Sequence, residues 1–341
     1  MPKVVIAGAG LVGALNACFF AKRGWTVEVY ELRPDIRKMA HVKGRSINLA
    51  LSIRGKAALE SVGLKDYIID QGVKMFARLI HEMDGLTTNA QPYGKPGEHI
   101  LSINRRHLNE VMITLAEKHE NVYFYFSHKF LYCRVGEEAV IERLSDGERI
   151  TVLDADLIIG CDGAYSSLRR SLMAFPRFNF SQEYIEHGYI ELNILPKNDE
   201  FAIEPNVFHL WPRGNFMLIA LANKDKTFTV TLFAPNSIFE QKLADQESVF
   251  NFFRKYFPDA LELIGESEVA ETFKQIKPSP LVSVKSEPHH FGENVILMGD
   301  AAHAMVPFYG QGMNCGFEDC LVLSEKLDEN NDDIGTLYAN F

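Results

Sequence analysis

The sequence is poor in cysteine, in net positive charge and in long apolar runs. Its five cysteines are an odd number without a CxxC pair, which argues against a disulfide framework or a zinc site and favours a reducing compartment. The formal net charge of -10 argues against a general nucleic-acid surface, although a local basic pocket stays possible. No run of roughly eighteen apolar residues occurs, so the sequence predicts no membrane span.

The chain opens with the pattern of a βαβ unit. Lys3 to Ala7 is a short apolar run typical of a buried parallel strand. Leu11 to Arg23 then indicates a helix that Gly24 ends, and Thr26 to Glu31 alternates like a second strand. Because the first strand begins almost at residue 1, we expect no signal peptide.

A glycine-rich turn, Gly8-Ala9-Gly10-Leu11-Val12-Gly13, lies between the first strand and the helix. In a GxGxxG turn the first glycine permits the tight bend, the second admits a pyrophosphate, and the third lets the helix pack on the strand. Glu31 ends the second strand, where a carboxylate can accept both hydroxyls of an adenosine ribose. This pattern favours a dinucleotide over a purely structural turn, but it does not distinguish FAD from NAD.

Two later segments favour FAD. Asp156 to Arg169 contains a strand followed by Cys161-Asp162-Gly163, and Val295 to His303 contains a strand that ends in Gly299-Asp300. Asp300 can accept a hydroxyl of a ribityl chain, and Pro307 to Asn314 is a glycine-flanked loop whose N–H groups can face a polarised ring carbonyl. Each alone is compatible with a simple turn; the three in this order are hard to obtain by chance.

The middle of the chain has a different texture, with strand-like stretches separated by turn residues. The sequence therefore predicts a discontinuous α/β domain at 1–70, 100–178 and 285–330, and a mostly antiparallel inserted domain at 71–99 and 179–284. Residues 331–341 would begin a C-terminal region. Further predicted strands and helices are Leu108 to Lys118 (helix), Val122 to Phe126, Leu157 to Ile159, His187 to Ile194, Val207 to Trp211, Phe216 to Ala220, Phe228 to Phe233, Glu247 to Tyr256 (helix) and Asn294 to Met298.

The order of these motifs resembles the flavoprotein aromatic hydroxylases, whose best-known member is p-hydroxybenzoate hydroxylase. The resemblance implies a Rossmann-like FAD-binding domain with an inserted substrate domain. Longer strings are similar to the branch of that family that acts on L-kynurenine, and they span essentially the whole chain. These strings are Gly44 to Leu51, Ala77 to His81, Pro92 to Gly94, Ile159 to Ser166, His209 to Arg213 and Gly299 to Asp319.

The resemblance also implies individual site residues. Those expected to bind FAD are Gly8, Gly10, Val12, Gly13, Tyr30, Glu31, Leu32, Arg33, Ala50, Arg105, Phe130, Ser167, Asp300, Met313 and Asn314. Those expected to bind the substrate are Arg78, Tyr93, Phe308 and Gln311, with Arg78 and Tyr93 holding an amino-acid carboxylate.

Two of these interpretations have plainer alternatives. Arg78 could be a surface arginine beside an apolar strand. Phe228, Thr229, Leu232 and Phe233, which would give the inserted sheet an apolar face over the aromatic ring, could equally be ordinary core.

The activity that the resemblance implies is hydroxylation of L-kynurenine to 3-hydroxykynurenine in tryptophan catabolism. NADPH would reduce FAD, and the reduced flavin would carry oxygen as a C4a-hydroperoxide. We expect no catalytic acid or base and no metal, so His81 and His303 are not interpreted as ligands. A second GxGxxG is absent, and in this family NADPH binds transiently without a Rossmann domain of its own.

The family's pattern continues beyond residue 341 with an asparagine and a tyrosine of the substrate site and a hydrophobic membrane anchor. The resemblance thus implies the cytosolic face of the mitochondrial outer membrane, with this chain by itself expected to be soluble. Three alternatives stay open: an NAD(P)-dependent dehydrogenase, a hydroxylase of another aromatic ring such as a phenol, and a shortened FAD-binding protein that only oxidises NADPH.

Overall fold

A computed structural model describes residues 1–40, 48–243 and 245–337, and every structural statement below concerns these residues. Residues 44–47 of the string Gly44 to Leu51, and the last four residues of the segment 331–341, lie outside them. Short 3₁₀ helices occupy Ile36–Lys38 and Pro307–Tyr309.

The strands are β1 Lys3–Ala7, β2 Thr26–Glu31, β3 Asn48–Leu51, β4 Val73–Met75, β5 Ala77–His81, β6 Thr88–Pro92, β7 Ile100–Asn104, β8 Val122–Phe126, β9 His128–Arg134, β10 Glu138–Arg143, β11 Arg149–Val152, β12 Leu157–Gly160, β13 Asn179–Ile194, β14 Val207–Arg213, β15 Phe216–Ala222, β16 Phe228–Pro235, β17 Ser279–Glu287, β18 His290–Phe291 and β19 Val295–Leu297. The α-helices are α1 Leu11–Lys22, α2 Ile53–Ser61, α3 Lys65–Ile69, α4 Arg105–Ala116, α5 Ser167–Leu172, α6 Asn236–Lys242, α7 Gln246–Tyr256, α8 Pro258–Ile264, α9 Glu266–Gln275, α10 Asp300–His303, α11 Gly312–Glu329 and α12 Ile334–Leu337.

A six-stranded sheet forms the first layer, in the order β18-β19-β12-β1-β2-β8. Apart from the antiparallel edge strand β18, its neighbours are parallel, and Val5 of β1 pairs with Ile158 on one side and Glu28 on the other. Strands β1, β12 and β19 are buried almost throughout, as their continuous apolar runs predicted. The predicted opening βαβ unit is confirmed.

Both faces of this sheet are covered. On one face α1 packs with α4 and α11, and α1 is apolar all round because it is buried between the sheet and these helices. On the other face lie α5 and the three-stranded antiparallel sheet β11-β10-β9. The carboxyl ends of the central strands are therefore left accessible at one edge, where ligands bind in sheets of this kind.

A second, seven-stranded sheet has the order β17-β13-β16-β15-β14-β5-β6. Its pairings are antiparallel except for β14 with β5, so the predicted mostly antiparallel sheet is confirmed. Helices α6 to α9 cover one face and build an apolar core with it. The other face is turned away from these helices.

Strand alternation corrects one expectation. Phe228 and Leu232 point into the helix-covered core, so they cannot share a face with their neighbours Thr229 and Phe233. The expectation that all four residues line the aromatic ring is wrong, because consecutive side chains of a strand point to opposite faces. Only Thr229 and Phe233 belong to the face opposite the helices.

Several boundaries also differ from the predicted ones. The helix expected from Leu108 begins at Arg105, because the Asn104 side chain caps it by accepting the N–H of His107 at 3.1 Å. Strand β13 runs from Asn179 rather than His187, with a register shift between Tyr184 and Gly188. The three-stranded sheets β11-β10-β9 and β3-β7-β4 were not predicted.

A buried polar network joins the small sheet β3-β7-β4 to the seven-stranded sheet. The Asn48 side chain donates to Ser102 Oγ at 3.1 Å and to Asn223 Oδ1 at 2.8 Å, and its Oδ1 accepts from Thr229 Oγ1 at 3.1 Å. Asn48, Ser102 and Thr229 are all buried. Since every one of these groups is hydrogen-bonded, the cost of desolvating them is offset, and the network fixes how the two sheets meet.

Replacing Asn48 by alanine should lower the free energy of unfolding by about 2–4 kcal/mol. The substitution removes the donor to Asn223 Oδ1 and the acceptor of the Thr229 hydroxyl proton, at about 1–3 kcal/mol for each unsatisfied group, although the Asn223 amide still donates to Thr229 Oγ1 at 3.1 Å. Urea denaturation followed by circular dichroism measures the change. Asn89→Ala, in the exposed strand β6, is the matched control and should be neutral; equal losses in the two variants would contradict the role of the network.

Candidate functional site

The glycine-rich turn joins β1 to α1 at the accessible edge of the parallel sheet. A Cβ at Gly8, whose φ is 95°, would lie 2.6 Å from the Cys161 carbonyl oxygen, and a Cβ at Gly13 would lie 2.0 Å from the Gly8 carbonyl oxygen. A Cβ at Gly10 would meet nothing within 4 Å. Gly8 and Gly13 are therefore required by the protein's own packing, whereas Gly10 leaves open space in front of the helix.

The amino terminus of α1 faces that open space. Gly10 is its N-cap residue and no side chain caps it, so the first-turn N–H groups are available to an anion. Beside it, Glu31 accepts the Ala9 N–H at 2.8 Å through Oε2, and its Oε1 accepts the Arg33 N–H at 2.9 Å. These bonds orient the carboxylate at the end of β2 and leave lone pairs for further donors.

The segment after β12 contributes a buried carboxylate. Asp162 Oδ2 accepts the N–H groups of Ser167 at 2.6 Å and Leu168 at 3.2 Å, while Oδ1 is buried with no hydrogen-bond partner among the described residues. Burial raises the pKa of Asp162 above its ordinary value. Arg169 donates to the carbonyl oxygens of Ala164 at 2.5 Å and Ala301 at 2.7 Å, and thereby ties this segment to the one that follows β19.

Gly299-Asp300 lies against the glycine-rich turn. A Cβ at Gly299, whose φ is 58°, would lie 2.9 Å from Val12 Cγ2, and one at Gly316 of α11 would lie 2.5 Å from the same atom. Asp319 Oδ2 accepts both the Gly299 N–H at 2.8 Å and a proton from His303 Nε2 at 2.7 Å. The Asp319 hydrogen bond raises the pKa of His303, although burial opposes it.

The loop before α11 completes this edge. Gly310 adopts a left-handed conformation with φ 62°, and Asn314, fully buried, donates to the carbonyl oxygens of Ala50 at 2.9 Å and Gly310 at 3.1 Å. Asn314 Oδ1 accepts the Ser52 N–H at 2.8 Å. The Asn314 side chain is thus engaged inside the protein, so it holds the loop against β3 rather than facing a ligand.

The remaining residues expected to bind FAD are distributed around this edge. Tyr30 is buried and stacks on Tyr125, with ring centroids 4.9 Å apart, and its carbonyl oxygen accepts the Gly8 N–H at 2.8 Å. The Phe130 side chain is buried in the core beneath the sheet and therefore does not face a ligand. Leu32, Arg33 and Arg105 are exposed, Ala50 and Ser167 are half-buried, and Met313 is buried.

These features fit the parts of FAD. An open turn at an uncapped helix terminus suits a pyrophosphate, and the carboxylates of Glu31 and Asp300 suit ribose and ribityl hydroxyls. Within this cradle, Asp162 Oδ1 is a buried acceptor that has no hydrogen-bond partner among the described residues. Among the described residues, no group of three or more His, Cys, Asp and Glu side chains could hold a metal ion.

Arg78 and Tyr93 come together on the open face of the seven-stranded sheet. The two side chains are neighbours: burial raises the pKa of the Tyr93 hydroxyl, and the nearby Arg78 charge opposes that rise. Arg78 Nε is buried and has no hydrogen-bond partner among the described residues. An arginine with a buried unused donor is unlike the solvated surface arginine of the plainer alternative, and it suits an anionic ligand.

Strand register places Arg78 in a row with Phe208, Leu221 and Thr229 on this face. Phe233 lies three strands across and four residues farther along the same face, which amounts to about 19 Å from Arg78. Phe308 packs edge-on against Phe233, with ring centroids 5.6 Å apart. Phe308 thus connects the loop before α11 to the sheet, and the face between it and Arg78 is largely apolar.

Four residues that no sequence pattern singled out position the site. Arg54 donates to Gln311 Oε1 at 2.8 Å and to Glu318 at 2.9 Å, so the expected substrate residue Gln311 is held by α2. Asn109 donates to the Ala9 carbonyl oxygen at 2.9 Å. Arg169 and Asp319 tie the two later segments, as described above. Arg169 and Asp319 lie at the ends of the segments Asp156 to Arg169 and Gly299 to Asp319, but only the fold shows which groups they bond.

Residues 1–332 match the family model described as an FAD binding domain. Two solved structures share the fold. 2-Methyl-3-hydroxypyridine-5-carboxylic acid oxygenase aligns with a TM-score of 0.79 at 20% identity, over 99% of this chain and 85% of its own. PqsL of P. aeruginosa, in complex with 2-aminobenzoylacetate, aligns with a TM-score of 0.77 at 18% identity, over 99% and 91%. The predicted fold class is confirmed, and the chain belongs to a family of FAD-binding proteins.

Curated relatives narrow the family. Kynurenine 3-monooxygenase of Caenorhabditis elegans is 63% identical over 349 residues, covering 98% of this chain and 76% of the relative. The enzyme of that name from Sus scrofa is 51% identical over 338 residues, covering 99% and 71%. The chain therefore belongs to the kynurenine 3-monooxygenase family of FAD-binding proteins.

Substitutions of Gly13 and Gly10 should separate packing from ligand binding. Gly13→Ala places a methyl group 2.0 Å from the Gly8 carbonyl oxygen, so it should destabilise the FAD-free protein and abolish FAD binding. Gly10→Ala has free space and an ordinary φ of -69°, so the FAD-free protein should keep its melting temperature while FAD affinity falls. Thermal unfolding and flavin-fluorescence titration test both; full FAD affinity in Gly10→Ala would contradict the pyrophosphate assignment.

The His303–Asp319 contact should make stability depend on pH. Because the folded-state pKa of His303 is raised above 6.5, the contact stabilises fully below that value and is lost as pH rises through the raised pKa. The difference in unfolding free energy between the native chain and His303→Gln should therefore be larger near pH 5.5 than near pH 9, at values chosen on either side of the ordinary histidine range. Urea unfolding at the two pH values measures it, and a constant difference would contradict the assignment.

Proposed function

We propose that this chain hydroxylates L-kynurenine to 3-hydroxykynurenine, with FAD as cofactor and NADPH and O2 as co-substrates. Support comes from its place among the kynurenine 3-monooxygenases and from the FAD cradle at the edge of the parallel sheet. The observation that carries the substrate assignment is the buried, unpartnered Nε of Arg78 beside Tyr93.

Arg78 and Tyr93 would bind the amino-acid carboxylate of the substrate. A guanidinium donates two parallel hydrogen bonds to a carboxylate, and a tyrosine hydroxyl adds a third. The aromatic ring would then lie over the apolar part of the same sheet face, in the direction of Phe308 and Gln311. This arrangement accounts for an aromatic amino acid better than for a simple phenol, which has no carboxylate to occupy Arg78.

Bound FAD would supply the two-electron oxidation of NADPH and the activation of O2. The protein itself positions the substrate and excludes water from the site. Oxygen enters the ring ortho to an amino group, which already donates electron density there, so no side chain has to deprotonate the substrate. Accordingly we assign no catalytic acid or base, and Phe233 and Phe308 contribute an apolar wall.

The full set of site residues belongs to this proposal. We propose that FAD is bound by the fifteen residues named from the resemblance, with Phe130 acting through its backbone and Asn314 through its hold on the loop. We also propose that 1–70, 100–178 and 285–330 form the FAD-binding domain and that 71–99 and 179–284 form the substrate domain. Limited proteolysis with and without FAD would test this division.

We further propose, on the family resemblance alone, that the protein works at the cytosolic face of the mitochondrial outer membrane. Within the described ranges no helix is both long and apolar enough to cross a bilayer. Fractionation of cells that express the natural gene, with protease protection of isolated mitochondria, would test this location.

Arg78→Ala should weaken L-kynurenine binding by about 2–3 kcal/mol, or roughly 30- to 150-fold, because a charge-assisted pair is lost. Product analysis with L-kynurenine, NADPH and O2 measures activity, and KM reports the loss. Arg134→Ala, an exposed arginine on β9, is the matched control. A decarboxylated kynurenine should bind equally weakly to the native chain and to Arg78→Ala; a further loss in the variant would argue against the carboxylate contact.

The same assay decides among the alternatives. Stimulation of NADPH oxidation by a phenol but not by L-kynurenine would identify another aromatic substrate. Release of peroxide without hydroxylated product would identify an FAD-binding NADPH oxidase. Absence of flavin absorbance in visible light from the purified chain would favour an NAD(P)-dependent dehydrogenase instead.

A further inference from the structure

Two histidines from the family-like strings have no part in the proposed reaction. His81 ends β5 and His209 lies on β14, and both side chains are buried on the helix-covered face of the seven-stranded sheet. They lie directly behind Arg78, which is three residues from His81 on the same strand and points to the opposite face. Their contacts form one continuous chain.

This chain of hydrogen bonds runs from Asp259 on α8 to Glu204 in the segment before β14. Asp259 Oδ2 lies 2.8 Å from His81 Nδ1, His81 Nε2 lies 2.9 Å from His209 Nδ1, and His209 Nε2 lies 2.8 Å from the Glu204 carbonyl oxygen. Trp211 donates to the same Asp259 oxygen at 2.8 Å and stacks on the His81 ring, with centroids 4.0 Å apart. The two rings are thus held in one geometry.

Counting protons shows what this chain requires. Its two ends, a carbonyl and an ionised carboxylate, can only accept hydrogen bonds. The three contacts between them therefore need three N–H protons, whereas two neutral imidazoles carry one N–H each. One ring must hold an additional proton for all three hydrogen bonds to form.

The additional proton is assigned to His81, because its ring is hydrogen-bonded directly to the Asp259 carboxylate, whereas the His209 ring is hydrogen-bonded only to His81 and a carbonyl oxygen. Burial lowers the pKa of His209 to about 4. Burial raises the pKa of Asp259, but hydrogen bonds from His81 and Trp211 outweigh it and leave the pKa below its ordinary value. The other charges near this strand end are Arg213, which donates to the carbonyl oxygens of His81 and Glu82 at 3.0 Å, and Glu82, whose charge acts on Arg213.

We propose that a protonated His81, held between Asp259 and His209, fixes strand β5 and thereby positions Arg78 for the substrate carboxylate. Strand β5 needs such support. On one side it pairs with β14 through only Ala77 to Ile80, and on the other side with the exposed edge strand β6. His81 and Asp259 extend its attachment beyond the last pair, from the face that the substrate does not use. This inference rests on the proposed role of Arg78.

A matched pair of variants at position 209 tests the positioning role in the FAD-bound enzyme. In His209→Gln the amide can accept from His81 and donate to the Glu204 carbonyl oxygen, so the chain of hydrogen bonds is kept. In His209→Leu that chain of hydrogen bonds is broken. We expect the KM for L-kynurenine to stay within about twofold in the glutamine variant and to rise about tenfold in the leucine variant. The kcat value and the KM for NADPH should change little in both. A lower melting temperature with an unchanged KM would overturn the positioning role.

The additional proton has its own readout. Nitrogen NMR of the chain labelled with ¹⁵N-histidine, recorded under the conditions of the activity assay, should show one doubly protonated imidazole in the native chain and in His209→Gln that is absent from His81→Gln. Two singly protonated rings in the native chain would overturn the proton assignment. If His209→Leu does not fold, Asp259→Asn replaces it, because its amide still accepts but does not balance the imidazolium charge.

The outcomes separate this inference from the proposed function. An unchanged KM in Arg78→Ala would overturn the substrate assignment, whatever the NMR spectrum shows. A raised KM in Arg78→Ala together with an unchanged KM in His209→Leu would overturn only the positioning role.

Discussion

The packing of Val12 between Gly299 and Gly316 is the contact on which the functional edge of this molecule depends. One isopropyl group lies against two glycines that belong to a strand end and to α11, and any side chain on either glycine would collide with it. This contact sets how near Gly299-Asp300 comes to the amino terminus of α1. Asp319, which accepts the Gly299 N–H, then holds the same approach from the other side.

A second constraint is the division of the seven-stranded sheet into two faces with different tasks. One face is joined to helices by apolar packing, and its half-buried Asp259 is hydrogen-bonded through Oδ2 to His81 and Trp211, while Oδ1 has no partner among the described residues. The opposite face carries Arg78 with an unused donor. An unused donor on the open face is available to a ligand, whereas helices α6 to α9 cover the packed face.

Much of the FAD cradle could be predicted from sequence because its parts are local: a glycine turn, a strand end and a helix start are each read within a few residues. The exact contacts could not, since Arg169 bonds Ala301 and Asn314 bonds Ala50 across distances that only folding closes. The face of β16 was misjudged because the strand is buried on both sides, so its sequence does not show which residues face the helices. The division into domains and the individual site roles remain predictions.

The hydrogen bond from Gly299 to Asp319, together with the Val12 contact, means that the cradle has contributions from both ends of the described chain. During synthesis the glycine turn leaves the ribosome long before α11 does, so an incomplete chain has only half a binding surface. Because a ligand stabilises only the state that binds it, FAD cannot stabilise a folding intermediate that forms before α11 is present. FAD would then act as a late check on assembly, retained by chains in which α11 has docked.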